Sequence, residues 1–139
     1  MASNVLVREV MTKNVKVVRE DTNLHEVIAT LSSFNINSLI VVQGERPVGI
    51  ITTKDALVRG FEHGMPVTAI KAAMVASSPL TTIGEEATVD EAARLMKRPK
   101  IKHLPVVKDG KLVGILSDMD ILFSVPSMLI TMEEVCRQK

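Results

Sequence analysis

Apolar residues recur along this chain in two rhythms, and the same succession of rhythms is run through twice. Residues 15–18 form a short β-rich run, after which Leu24, Val27, Ile28 and Leu31 fall at i, i+3, i+4 and i+7, one face of a helix. Residues 39–42 and 48–51 are apolar stretches of strand length separated by a turn with Gly44, and a second helix is predicted from near Thr53. The succession then returns. Residues 80–83 match the first run, Val89, Ala92, Ala93 and Met96 the helical face, and residues 104–107 and 112–116 the two strands, with the hairpin signal Asp109-Gly110 between them and a helix predicted from near Asp118. Asn23 with Glu26, and Thr88 with Glu91, have the spacing by which a side-chain oxygen and a carboxylate satisfy the open amides of a helix start.

The offset is constant at 65 residues from Glu20 to Leu57. Glu20 matches Glu85, Glu26 matches Glu91, Ile36 matches Ile101, Leu39 matches Leu104, and Val41-Val42 match Val106-Val107. Val48-Gly49-Ile50 falls on Val113-Gly114-Ile115, and Asp55 and Leu57 fall on Asp120 and Leu122. Upstream, Val10-Met11 is paired with Ala73-Met74, which requires a two-residue insertion in the second copy around Ser77 and Pro79. The unit is β-α-β-β-α, used twice, and the fold class is α/β. The first repeat is assigned to residues 1–61 and the second to 70–123, with 62–69 as linker, because Gly60, Gly64 and Pro66 punctuate residues 60–67. Residues 124–139 are predicted to form a last helix opened by Pro126, with Met128, Leu129, Met132, Val135 and Cys136 on one side. That side either covers the chain's own core or meets a partner.

Composition narrows the function classes. With 17 basic and 16 acidic residues the net charge is +1, which gives no general attraction to polyanions, and three Phe with no Tyr or Trp leave no stacking platform for single-stranded nucleic acid. The apolar stretches are far shorter than the roughly 20 residues that cross a bilayer, so no membrane span is expected. The first residues include Arg8 and Glu9 and lack the apolar run of a secretory signal, and the only cysteine, Cys136, forms no internal bridge. A chain starting near Met1 and residing in the cytoplasm is expected. His25, His63 and His103 are far apart, no Gly-rich dinucleotide loop or P-loop is present, and no metal-ligand spacing is seen, so neither an enzyme nor a metal site is expected.

The segment with chemical content is Gly49-Ile50-Ile51-Thr52-Thr53-Lys54-Asp55, recurring as Gly114-Ile115-Leu116-Ser117-Asp118-Met119-Asp120. A buried strand ends in a hydroxyl residue at a helix start, with a carboxylate one turn on. Glycine lets another backbone or a ligand approach, the helix start presents amides to an anion, and Asp accepts from both hydroxyls of a ribose. The same spacing is also that of a plain capping box. Its recurrence at one place in both copies favours a binding role.

The duplicated β-α-β-β-α unit, the run Ile-Lys-His-Leu-Pro-Val-Val at Ile101 and after, and the run Gly-Ile-Leu-Ser-Asp-Met-Asp resemble the CBS domain family. The resemblance implies two repeats packed as a pseudo-two-fold module whose two clefts take AMP, ADP, ATP or S-adenosylmethionine and regulate a partner. It implies that each cleft draws its ribose contacts from one repeat and much of its base pocket from the other. In the first cleft Asp120 and Ser117 would hold ribose, Lys102 and His103, helped by Arg98, would meet phosphate, and Thr12, Lys16, Ile36 and Asn37 would line the base. In the second, Thr52 and Asp55 would hold ribose, Lys54 would be the nearest cation, and Val75, Thr81 and Ile101 would surround the base. Val75 is read there as replacing the hydroxyl of Thr12, and Asn37 and Ser38 stand where the first cleft has Lys102 and His103, so the Asp120 cleft ranks first. The expected function is a non-catalytic adenosine-nucleotide sensor, AMP or ADP foremost, with no cofactor, as a homodimer acting on an unknown regulated protein. The alternatives are a dimerisation scaffold with weak or no ligand, and S-adenosylmethionine binding.

Overall fold

The computed structural model describes residues 4–78, 80–97, 99 and 101–124. The last helix assigned to residues 124–139, and Arg98, therefore lie outside the described residues, apart from Ser124. The elements run α1 (Val7–Val10), β1 (Val17–Arg19), α2 (Leu24–Ser33), β2 (Ser38–Gln43), β3 (Arg46–Thr52), α3 (Thr53–His63), α4 (Ala72–Val75), β4 (Ile83–Gly84), α5 (Val89–Lys97), β5 (His103–Lys108), β6 (Lys111–Ser117) and α6 (Asp118–Phe123). They build two three-stranded sheets, β1-β2-β3 and β4-β5-β6. In the first, β1 runs parallel to β2, Val17 opposite Ile40, and β2 runs antiparallel to β3, Ser38 opposite Thr52. In the second, β4 runs parallel to β5, Ile83 opposite Val106.

Local chemistry explains the elements. Asn23 Oδ1 accepts the Glu26 amide at 2.9 Å and Thr88 Oγ1 the Glu91 amide at 3.2 Å, so α2 and α5 start at the predicted caps. Asp109 and Gly110, with φ of 52° and 78°, make the two-residue turn whose twist suits a hairpin. β1 begins two residues later than its apolar run, and of the predicted 80–83 strand only Ile83 lies in β4, which ends at Gly84, because parallel pairing to the next strand starts there. Gly60 is a different case. It was expected in the linker, yet it lies inside α3, buried, where a Cβ would collide with Leu24 Cδ2; the residue is small because two helices approach there, and the chain breaks only at Gly64, which caps α3 at φ +63°.

Packing divides the chain differently from the sequence repeats. One compact unit comprises Val15–Thr81 with Gly110–Leu112, and the other comprises the described residues up to Asn14, Thr82–Asp109 and those from Val113 onward. The core of the first contains Leu24, Val27, Leu39, Val41, Ile51, Ile70 and Val75, and that of the second Val7, Ala92, Leu104, Val106 and Leu116. The short helix before each repeat's first strand thus belongs with the other repeat's sheet.

The hydrogen bonds that attach these helices correct one expectation. The Val7 amide donates to Ala87 O and the Ala72 amide to Thr22 O; Arg8 donates to Glu85 O and Ala73 to Glu20 O; Val89 donates to Val5 O and Leu24 to Ile70 O. Every pair is related by the same 65-residue offset. The bridges Leu6 with Thr88 and Asn23 with Lys71 keep it too, as do Thr12 with Ile115 and Ser77 with Ile50. There is no two-residue insertion: Val10 corresponds to Val75, Met11 to Ala76, and Thr12 to Ser77. The match of Met11 to Met74 was a coincidence of residue type.

Candidate functional site

Both Gly-x-x-Ser/Thr-x-x-Asp segments fold as strand ends that become helix caps. The Asp55 amide donates to Thr52 Oγ1 and the Thr52 amide to Asp55 Oδ2, both at 3.1 Å. The Asp120 amide donates to Ser117 Oγ at 3.0 Å and the Ser117 amide to Asp120 Oδ2 at 2.8 Å. The capping box is therefore formed in both repeats, and it engages one carboxylate oxygen of each Asp. The first helical amide is held as well, Thr53 on the carbonyl of Asn37 and Asp118 on that of Lys102, both at 2.9 Å. In α6 the next amide, of Met119, donates to Asp118 Oδ1 at 2.8 Å. The first three amides of α6 thus have partners inside the chain, which corrects the expectation that this helix start offers free amides to an anion.

The glycines act as expected, through close backbone approach. A Cβ on Gly114 would meet Met11 Sδ and lie 3.0 Å from Thr12 O, and one on Gly49 would lie 3.2 Å from Ala76 Cβ and 3.4 Å from Ser77 O. Space at Gly114 lets Thr12 and Ile115 exchange amide bonds of 2.9 and 3.0 Å. Thr12 is thereby placed two residues along β6 from Ser117.

Of the first expected set, Thr12, Lys102, His103, Ser117 and Asp120 belong to the unit built on β4-β5-β6, whereas Lys16, Ile36 and Asn37 belong to the other. Lys102 is exposed and its carbonyl holds the α6 start, while His103 opens β5, half-buried beside it. Lys16 gives its carbonyl to the Ile40 amide at 3.4 Å, and its ammonium lies 4.3 Å from the centre of the Phe34 ring, a cation–π contact the sequence reading missed. Ile36 and Asn37, with Ile28, Leu31, Ser32, Thr53, Ala56 and Leu57, line a pocket of about 230 Å³ between α2 and α3.

Of the second set, Thr52 and Asp55 meet at the α3 start, Lys54 is exposed next to them, and Thr81 and Ile101 are half-buried, Ile101 against the core of its own unit, the one built on β4-β5-β6. Val75 is fully buried in the core, so its side chain lines no open surface. With the register corrected, the residue in the place of Thr12 is Ser77, so this repeat carries the hydroxyl that the sequence alone does not assign to it. A further residue at this site escaped the sequence reading: Arg59, whose Nε stands 3.9 Å from Asp55 Oδ1 and whose Nη1 donates to the carbonyls of Val75 at 3.4 Å and Ala76 at 2.9 Å. The i, i+4 spacing of Asp55 and Arg59 on a helix was the signal for it.

Burial holds the His103 imidazole below its ordinary value near 6.5; the negative charges of Asp118 and Asp120 oppose this and Lys102 adds to it. The unfolded chain then binds more protons at this residue than the folded one in the range just below 6.5. The contribution of His103 to stability is complete above that value and is lost as pH falls towards the depressed one. Chemical denaturation at pH 7.5 and pH 5.5 is expected to show lower stability at the acid end, with a smaller drop in His103→Asn; an equal drop in that variant contradicts the assignment.

Among the described residues no helix is long and apolar enough to cross a membrane, and no group of three or more His, Cys, Asp or Glu is placed to hold a metal ion. The sequence profile of the CBS domain matches residues 7–60 and again residues 70–127. An uncharacterised protein of Methanopyrus kandleri is 32% identical over 133 residues, 94% of this chain and 68% of its own length. The inosine-5'-monophosphate dehydrogenase of Aquifex aeolicus is 30% identical over 115 residues, 81% of this chain but 23% of the enzyme, so the likeness is to a part of it. Among solved structures, an uncharacterised conserved protein from Pyrococcus horikoshii superposes with a TM-score of 0.78 at 27% identity, covering 89% of this chain and 94% of that one. CBSX2, solved in complex with AMP, shares the fold with a TM-score of 0.76 at 23% identity, covering 91% and 98%. The chain belongs to the CBS domain family and carries two CBS repeats.

Proposed function

We propose that this CBS pair is a non-catalytic sensor of adenosine nucleotides, with Ser117 and Asp120 receiving the ribose and Lys102 and His103 the phosphates. The single observation that carries the reading is the second oxygen of Asp120. Oδ2 is held by the cap, while Oδ1 accepts no hydrogen bond among the described residues, so an acceptor for a ribose hydroxyl stands at a rigid helix start. Thr12, Lys102 and His103 are anchored to the same strand end by main-chain bonds and pairing. The charges of Lys102 and, when protonated, His103 balance one or two phosphates, which puts AMP and ADP ahead of ATP. The AMP complex of CBSX2, a chain with the same fold, supports the choice of ligand class.

A second reading, a module for self-association with little ligand, is favoured by one observation: α3 exposes Leu57 at 62%, Val58 at 46% and Phe61 at 88%. Thermal denaturation separates the two. A nucleotide at 100 times its dissociation constant stabilises the folded chain by about 2.7 kcal/mol, and at about 2–4 °C per kcal/mol for this size the melting temperature is expected to rise by roughly 5–11 °C with AMP or ADP. No rise with AMP, ADP, ATP or S-adenosylmethionine selects the association reading.

A further inference from the structure

We infer that Arg59 decides which of the two Asp sites takes nucleotide, by engaging the carboxylate of Asp55 from within the chain; this rests on the nucleotide reading above. In both repeats one oxygen of the Asp is bound by the cap amide, and the repeats differ in what reaches the other. Asp55 Oδ1 faces Arg59 Nε at 3.9 Å, with the Asp55 side chain 19% exposed. Arg59 is itself held. Its Nη1 donates to two main-chain carbonyls, of Val75 and Ala76, at the end of α4. Because the guanidinium is a rigid planar fork, anchoring one nitrogen fixes the direction of the others.

The equivalent position, 65 residues on, is Ser124, whose hydroxyl donates to the carbonyl of Ile121 at 2.6 Å and so is turned to its own helix. A ribose hydroxyl approaching Asp120 meets an acceptor with no competing donor among the described residues. One approaching Asp55 meets an oxygen that already faces a fixed positive charge at 3.9 Å, an ion pair on a part-buried carboxylate that the hydroxyl must displace or share. The remaining hydroxyls do not distinguish the two sites, since Ser77 occupies in one the place of Thr12 in the other. The neutral pair Asn37 and Ser38, in the place of Lys102 and His103, adds to the bias without being its origin, because it concerns phosphate and not ribose.

Titration calorimetry of the full chain with AMP, and separately with adenosine, tests this by counting sites. The wild-type chain is expected to show one. Arg59→Ser, which installs the residue found at the equivalent position, is expected to raise the affinity at Asp55 about two- to fivefold, the value of a partly exposed ion pair, and so to bring a second site into the titration. Arg59→Gln is expected to do the same should the serine variant fold poorly, and adding Asp55→Ala to either is expected to return the count to one. Two equal sites in the wild type, or a single site in both Arg59 variants, overturns the role of Arg59 and leaves the nucleotide reading standing. No binding of either ligand to the wild type or the variants overturns both.

Discussion

Leu104→Ala is expected to lower the free energy of unfolding by about 2–5 kcal/mol, the range for a fully buried leucine cut back to a methyl group. Leu104 lies in β5, the central strand of its sheet, with no exposed surface, packed in one cluster with Val7, Ala92, Met96, Val106 and Leu116. Rigid strand and helix neighbours on that cluster limit how far the space left behind can close, which puts the effect in the upper part of the range. At about 2–4 °C per kcal/mol, the melting temperature is expected to fall by roughly 4–20 °C. Leu57→Ala, made at a side chain 62% exposed on α3, is the contrast and is expected to move stability by no more than about 0.5 kcal/mol. Urea denaturation followed by circular dichroism measures both. A Leu104 variant as stable as the Leu57 variant would mean that the described core is not the one that holds the unit together.

What the sequence made legible was whatever repeats or alternates. The 65-residue offset marks two copies, the i, i+3, i+4, i+7 apolar positions mark α2 and α5, and the cap residues Asn23 and Thr88 mark where they start. The hairpin at Asp109-Gly110 was legible because few residue pairs tolerate positive φ twice in succession. The helices α1 and α4, of four residues each, are too short to have a period, so residues 7–10 and 72–75 carried no signal. Without them the register upstream was decided by the identity of Met11 and Met74, and only the main-chain bonds show that Thr12 answers to Ser77. Gly60 was read as a breaker because a glycine that permits a turn and a glycine that permits helix contact look alike in sequence; the collision with Leu24 tells them apart. The grouping of α1 with the second repeat's sheet was not legible at all, since no local pattern states which sheet a flanking segment joins. At the site, the caps of Thr52–Asp55 and Ser117–Asp120 were fully legible, while the partner of the second Asp55 oxygen lay in a side-chain direction that spacing suggests and only geometry fixes.

The second large effect concerns Asp120. Asp120→Asn keeps an oxygen that can accept from the Ser117 amide, so α6 retains its start, but it removes the charge from the acceptor offered to ribose. Hydrogen bonds to a charged group contribute about 1.5–3 kcal/mol each, so AMP binding is expected to weaken about 10- to 100-fold for each such bond lost. Asp55→Asn, at a carboxylate already faced by Arg59, is expected to leave AMP binding unchanged. Circular dichroism and melting of both variants check that the folds are equal before binding is compared.

The AMP affinity of the wild-type, Asp120→Asn and Asp55→Asn chains, measured side by side by titration calorimetry, tests most directly whether the α6 start is the ribose site. The expected result is a loss of at least about tenfold at Asp120 and none at Asp55. An unchanged affinity in a folded Asp120→Asn chain, or equal losses in the two variants, contradicts it.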